Sequence, residues 1–222
     1  MTHETEGASQ DESYRGTIAA PAIPKLKPPL INPVWVRVTH WCTALAVVLM
    51  VLSGWRIYDA SPVFHGLTIP PQWTLGGWLG GALQWHFAAM WLLFASFLAY
   101  LLLNLFTGRF RRKFFPLSPR AVIQDLFKAL TGRLGHQDLS HFNAVQKLAY
   151  ISAIIALIVI VLSGLAIWKS VQFSLLRDLM GGYDNARIVH FCAMAFIVLF
   201  VLVHVVMVAL VPRSLLTMLR GR

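Results

Sequence analysis

Four histidines, His40, His86, His190 and His204, stand inside long apolar stretches of this chain, where an imidazole is unfavourable and tends to mark a functional position. His190 and His204 share the run 188–211, fourteen residues apart on nearly the same helical face and separated by roughly 21 Å along a helix axis. Neutral imidazole is a metal ligand. Two such rings at opposite depths of one membrane helix suit two stacked cofactors on opposite sides of a bilayer.

Depth decides the partners. If the first span runs outward and the fourth inward, His40 and His204 both lie about two turns inside the cytoplasmic boundary, while His86 and His190 both lie near the outer one. Each pair would fill both axial positions of a low-spin b-type haem that carries electrons without binding oxygen. Arg37 and Arg187 precede His40 and His190 by three residues, one turn toward the membrane surface, where a guanidinium fork suits haem propionates. Gly54 lies fourteen residues from His40, at the depth of the outer pair, where a missing side chain would admit a flat ring. Its motif Val51-Leu52-Ser53-Gly54 is echoed by Val161-Leu162-Ser163-Gly164, at the end of another outward-running span. Gly164 is therefore a second packing candidate.

The elements that must position these residues are membrane helices. The chain has 222 residues, 57% hydrophobic and only 13% charged, against about 25% charged in a soluble protein. Nearly charge-free stretches predict four spans at about 35–57, 83–106, 145–168 and 187–211, each close to the roughly 20 residues that cross hydrocarbon. The expected fold is all-α, an integral membrane four-helix bundle with one domain over 34–213. Residues 1–33 are polar, then Pro- and Lys-rich, and read as a disordered cytoplasmic tail; 214–222 form a basic cytoplasmic C-terminus.

The net charge of +10 reports topology rather than nucleic-acid binding. Arg109, Arg111, Arg112, Lys113, Arg120, Lys128, Arg133 and Lys147 separate the second and third spans, and Arg213, Arg220 and Arg222 end the chain. The positive-inside rule then puts both termini and the middle loop in the cytoplasm, next to anionic lipids. In that loop, Ser118-Pro119 followed by Val122, Ile123, Leu126, Phe127, Leu130 and Leu134 predicts a basic amphipathic helix on the inner leaflet. A weaker outer helix is expected at 173–180.

All nine acidic residues lie outside the expected spans, which argues against a proton-coupled transporter or a metal transporter with carboxylate ligands. Cys42 and Cys192 differ too much in depth for a disulfide. No Cys-x-x-Cys-His occurs, so covalent c-type haem attachment is not indicated.

With these motifs in place, the chain resembles the bacterial four-helix di-haem cytochromes b, grouped as cytochrome b-561 and the b-type cytochrome subunits of nickel-iron hydrogenases. The resemblance rests on Arg37-Val-Thr-His40-Trp41, Gln84-Trp85-His86, Asn143-Ala-Val-Gln146-Lys147 and Arg187-Ile-Val-His190 with His204, over about 33–211. It implies axial ligation by His40, His86, His190 and His204, two non-covalent haem b groups, and the bacterial inner membrane. It further implies electron exchange between the quinone pool and a periplasmic oxidoreductase, with Trp73-Thr-Leu-Gly-Gly-Trp78 pointing to members that accompany molybdopterin enzymes. Asn143, Gln146 and Lys147 are the quinone candidates, against a plain capping and snorkelling role. No residue is assigned to catalysis. The alternative is a self-sufficient quinone-coupled oxidoreductase such as a superoxide oxidase, which nearly charge-balanced outer loops disfavour.

Overall fold

In the computed structural model, residues 30–131 and 142–221 are described. Leu134, His136, His141 and most of the tail lie outside them. The described residues form eight α-helices and no strand: α1 Val34–Ala60, α2 Leu79–Phe106, α3 Arg109–Phe114, α4 Pro119–Leu130, α5 Ala144–Trp168, α6 Ser174–Leu179, α7 Tyr183–Leu210 and α8 Pro212–Arg220. Four of them, α1, α2, α5 and α7, are long and apolar enough to cross a membrane. α2 and α7 begin four residues earlier than the apolar pattern predicts, and α1 ends three residues later; Asp59 and Asp184 lie in the extensions of α1 and α7.

The long helices pack closely in two hairpins, α1 with α2 and α5 with α7. Small buried residues recur every seventh position at these seams: Thr39, Ala46 and Ser53 on α1, Ala82, Ala89 and Ser96 on α2, Ala156 and Ser163 on α5, Ala186 and Ala193 on α7. In lipid, where apolar burial gives no driving force, such residues let backbones approach and gain dispersion contacts. The hairpins are repeats. A shift of 110 residues takes Ser53 to Ser163 and Ala46 to Ala156, and one of 104 takes Ala82, Ala89 and Leu93 to Ala186, Ala193 and Ile197, all of them buried. α8 follows α7 as α3 follows α2.

Close backbone packing of the long helices stays within each hairpin. Between hairpins the contacts are made by large side chains, among them Phe87 on Trp168 at 5.1 Å and a cluster in which Phe191 meets Trp55, Tyr58 and Phe64 at 5.8, 4.8 and 5.2 Å between centroids. Rings rather than close backbone packing therefore join the two hairpins.

The ends are tied by short segments. Leu30–Pro33, which composition alone assigns to the tail, is pinned: Ile31 N donates to Gly221 O at 2.8 Å, Arg109 Nη2 donates to Asn32 Oδ1 at 2.9 Å, and Asn32 Nδ2 donates to Thr217 Oγ1 at 3.3 Å. The expected loop helix is α4, with Pro119 as its first residue and Ile123, Leu126 and Phe127 exposed. Asp125 Oδ2 accepts from Ala144 N at 2.9 Å and so fastens α4 to the start of α5. At the other end, α6 is the expected short helix, closed by Gly181 and Gly182 at φ 85° and 103°. The loop 61–78 folds back on α1 through Leu75 N donating to Leu52 O at 3.0 Å. Gly76, at φ 106°, packs against Gly81 and Ala82, and Trp78 covers Gly80, so those glycines serve close packing.

Candidate cofactor sites

Both histidine pairs meet. His86 and His190 face each other with ring centroids 6.5 Å apart and planes at 62°; His40 and His204 do so at 6.2 Å and 63°. A metal–imidazole bond of about 2.0–2.1 Å plus about 1.1 Å from nitrogen to ring centre gives a bis-imidazole centroid spacing of about 6.2–6.4 Å. Each pair therefore stands at the separation of two axial ligands. Among the described residues no cluster of three or more His, Cys, Asp or Glu side chains surrounds either pair. Two facing imidazoles would suit a macrocycle that brings its own equatorial donors.

Hydrogen bonds fix the outer rings. Ser53 Oγ donates to Leu49 O at 2.7 Å and stands 3.1 Å from His86 Nδ1; Ser163 Oγ donates to Val159 O at 2.8 Å and stands 3.0 Å from His190 Nδ1. Since each hydroxyl proton is given to the helix backbone, its oxygen must accept, so Nδ1 of each imidazole carries the proton. The lone pair is left on Nε2, ready for a metal. The inner rings lack such a partner: among the described residues neither His40 nor His204 makes a hydrogen bond. They are held by ring packing, with His40 edge-on to Trp41 at 5.4 Å and His204 stacked on Phe200 at 5.8 Å and 11°.

Gly54, expected at the depth of the outer pair where a missing side chain would admit a flat ring, and Gly164 each lie against an imidazole of that pair. A Cβ on Gly54 would lie 3.4 Å from His86 Cε1, and one on Gly164 would lie 3.3 Å from His190 Cε1. Each glycine follows the serine that holds the same imidazole. Ser53-Gly54 and Ser163-Gly164 are thus two copies of a histidine cradle, a use of the echoed motif beyond close helix packing.

The two arginines also diverge. Arg37 Nη1 donates to Leu219 O at 2.6 Å, while its buried Nε has no partner. An unsatisfied guanidinium N–H one turn from His40 suits a carboxylate that the protein itself does not provide. Arg187 is satisfied: it hydrogen-bonds the Ser61 carbonyl, reaches Ser61 Oγ at 3.2 Å and pairs with Asp184 at 3.8 Å. Asn143 and Gln146 form a reciprocal capping box at the start of α5, with bonds of 2.8 and 3.2 Å, and Lys147 Nζ donates to Pro116 O at 3.2 Å. Cys42 and Cys192 are unpaired thiols.

The sequence reading missed Ser53, Ser163, Phe191 and Phe200. The serines were visible as the echo, but only the structure shows that each reaches a histidine on the neighbouring helix.

A membrane bundle of two repeats, with stacked imidazole pairs at bis-axial spacing, defines a b-type cytochrome architecture. The family model of the prokaryotic cytochrome b561 matches residues 32–221, and the chain belongs to that family. It is similar to YedZ1 of Azospira oryzae, whose name makes it a candidate subunit of a protein-methionine-sulfoxide reductase: 63% identity over 191 residues, covering 86% of this chain and 96% of that one. The protein is an integral membrane cytochrome b, and family membership implies b-type haem.

Proposed function

We propose that this protein carries electrons through two haem b groups, one held by His86 and His190, the other by His40 and His204, from membrane quinol to a periplasmic reductase. The single observation that carries this reading is the pair of bis-axial spacings, 6.5 and 6.2 Å, at the two ends of one bundle. Haem, when bound, supplies reversible one-electron iron chemistry. The chain's residues do the rest. Each imidazole pair would hold a haem from both faces and so leave no open position for oxygen; Ser53 and Ser163 hold the outer rings in one tautomer; Arg37 would offer its unpaired Nε to a propionate. Arg187, already engaged by Ser61, has less to give.

The charge distribution supports an orientation with both termini and α4 on the cytoplasmic side of the inner membrane, where the exposed apolar face of α4 and its neighbouring cations meet anionic lipid. His86 and His190 then face the periplasm. The name of YedZ1 supports a reductase as the partner and so an outward flow of electrons; the molybdopterin dependence of that partner rests on the family resemblance. The same name favours a subunit over a stand-alone superoxide oxidase.

The test is a haem count and a reduced-minus-oxidised spectrum of purified protein, followed by reduction with a soluble quinol analogue. Two low-spin haems reducible by quinol are expected. One haem, a high-spin spectrum, or reduction by dithionite but not by quinol would overturn the corresponding part.

A further inference from the structure

The repeat is exact in register at the outer end and broken at the inner end. The shifts that take Ser53 to Ser163 and His86 to His190 take His40 to Tyr150 and His204 to Tyr100. They also take Arg37 to Lys147, each one turn before its ring residue. Arg37 donates to a carbonyl of the α8 segment, Leu219, and Lys147 to the carbonyl of Pro116 just beyond α3. The protein therefore has a second inner half-site, between α2 and α5, in which two phenols stand where the first has two imidazoles.

Its surroundings are aromatic. Tyr150 meets Phe142 at 5.0 Å, Phe114 at 6.4 Å and Phe200 at 6.3 Å, and Phe200 stacks on His204. Tyr100 lies within electrostatic range of Tyr150 and Arg109. Both tyrosines are half-buried, and neither hydroxyl makes a hydrogen bond among the described residues. Two free phenol donors, flat apolar walls and a ring in van der Waals continuity with an inner histidine match one ligand chemistry. It is a planar ring with carbonyl or hydroxyl oxygens that exchanges electrons.

We propose that Tyr100 and Tyr150 bind the head group of the membrane quinone in this second inner half-site, with Phe200 between it and His204. The proposal rests on the quinone-linked reading above and sets the head group one turn or more deeper than Asn143, Gln146 and Lys147, whose side chains are occupied by capping and by Pro116. Oxidation of the quinol releases two electrons and two protons. The electrons would leave singly past Phe200 toward the site of His40 and His204, where a bound ferric haem would take them one at a time over two turnovers, and the protons would leave along the phenol hydroxyls to cytoplasmic water. Phe200 is a positioning residue; the tyrosines are the binding residues.

The test uses full-length protein in proteoliposomes with an azidoquinone photolabel, mapped by mass spectrometry, alongside Tyr100→Phe and Tyr150→Phe. These substitutions remove only the hydroxyls. Label is expected in the peptides that carry Tyr100 and Tyr150, and each variant should cut labelling and quinol-driven haem reduction tenfold or more while dithionite still reduces the full haem complement. Label confined to other segments, or unchanged quinol kinetics in both variants, would overturn the proposal while leaving the electron-transfer reading intact. Wild-type protein that quinol cannot reduce would instead overturn that reading. If either variant loses haem, Phe200→Leu provides the second measurement: slower quinol reduction at unchanged labelling is expected, and equal rates count against the route.

Discussion

The outer end of the bundle keeps the twofold repeat and the inner end abandons it. Outside, each hairpin contributes one histidine, one serine that fixes it and one glycine that makes room for it, with bonds of 3.1 and 3.0 Å that match within the repeat. Inside, the repeat divides the labour: α1 and α7 carry imidazoles, and α5 and α2 carry phenols at the corresponding positions. A cofactor between two like ligands from like hairpins tolerates symmetry. If the inner end holds a haem and also binds quinone, as proposed above, the two tasks fall to different residues of the repeat. The difference also concerns rigidity, because the outer rings are hydrogen-bonded to the neighbouring helix and the inner ones are held by ring packing.

The largest effect that can break this comparison is removal of a ligand. His86→Ala or His190→Ala should halve the haem content and leave the inner spectrum, while His40→Ala or His204→Ala should do the reverse; pyridine haemochrome assay and low-temperature difference spectra read both. If any one substitution removed both haems, the two ends would be one cooperative unit rather than two sites. Next in size, Ser53→Ala or Ser163→Ala should weaken retention of the outer haem about 10–100-fold and spare the inner one. The midpoint potential of the outer haem should rise, because an imidazole whose Nδ1–H has lost a hydrogen-bond acceptor is a poorer electron donor to ferric iron. A spectroelectrochemical titration in which both haems shift together, or neither does, would remove the asymmetry between the two ends.

Much of this architecture was legible before the structure. Four apolar runs gave four membrane helices because a span must satisfy its backbone internally and needs a minimum length, and depth arithmetic paired His40 with His204 and His86 with His190. The cradle was less legible. Ser53-Gly54 and Ser163-Gly164 have small side chains that serve close helix packing equally well, and only the helix register shows that they meet a histidine of the adjacent helix. The pinning of Leu30–Pro33 was invisible because its partners, Arg109, Thr217 and Gly221, are far away in sequence and the segment has no periodicity. Tyr100 and Tyr150 could have been found by aligning the two halves on the serine echo. A lone tyrosine near a membrane boundary, however, reads first as interfacial.

A smaller effect separates the two arginines. Arg37→Gln should reduce occupancy of the inner haem several-fold and loosen α8, since it removes the free Nε and the bond to Leu219 together. Arg187→Gln should leave the outer haem nearly unchanged, because its guanidinium is engaged by Ser61 and Asp184. Equal losses from the two variants would show that Arg187 exchanges Ser61 for a propionate when haem is present.

The smallest expected effect is steric and tests the outer symmetry itself. Gly54→Ala would put a methyl 3.4 Å from His86 Cε1, an ordinary contact, whereas Gly164→Ala would put one 3.3 Å from His190 Cε1, where the ring must give slightly. Since His190 is fixed through Ser163, the ring can give only by stretching that hydrogen bond. Gly164→Ala should therefore cost about 1 kcal/mol and lower the thermal midpoint slightly more than Gly54→Ala. Leucine at either position cannot be accommodated by a few tenths of an ångström and should expel the outer haem while the inner one stays. An outer haem retained by Gly54→Leu would mean that His86 can reach its ligand position without the cradle, and the repeat at that end would then be a packing motif alone.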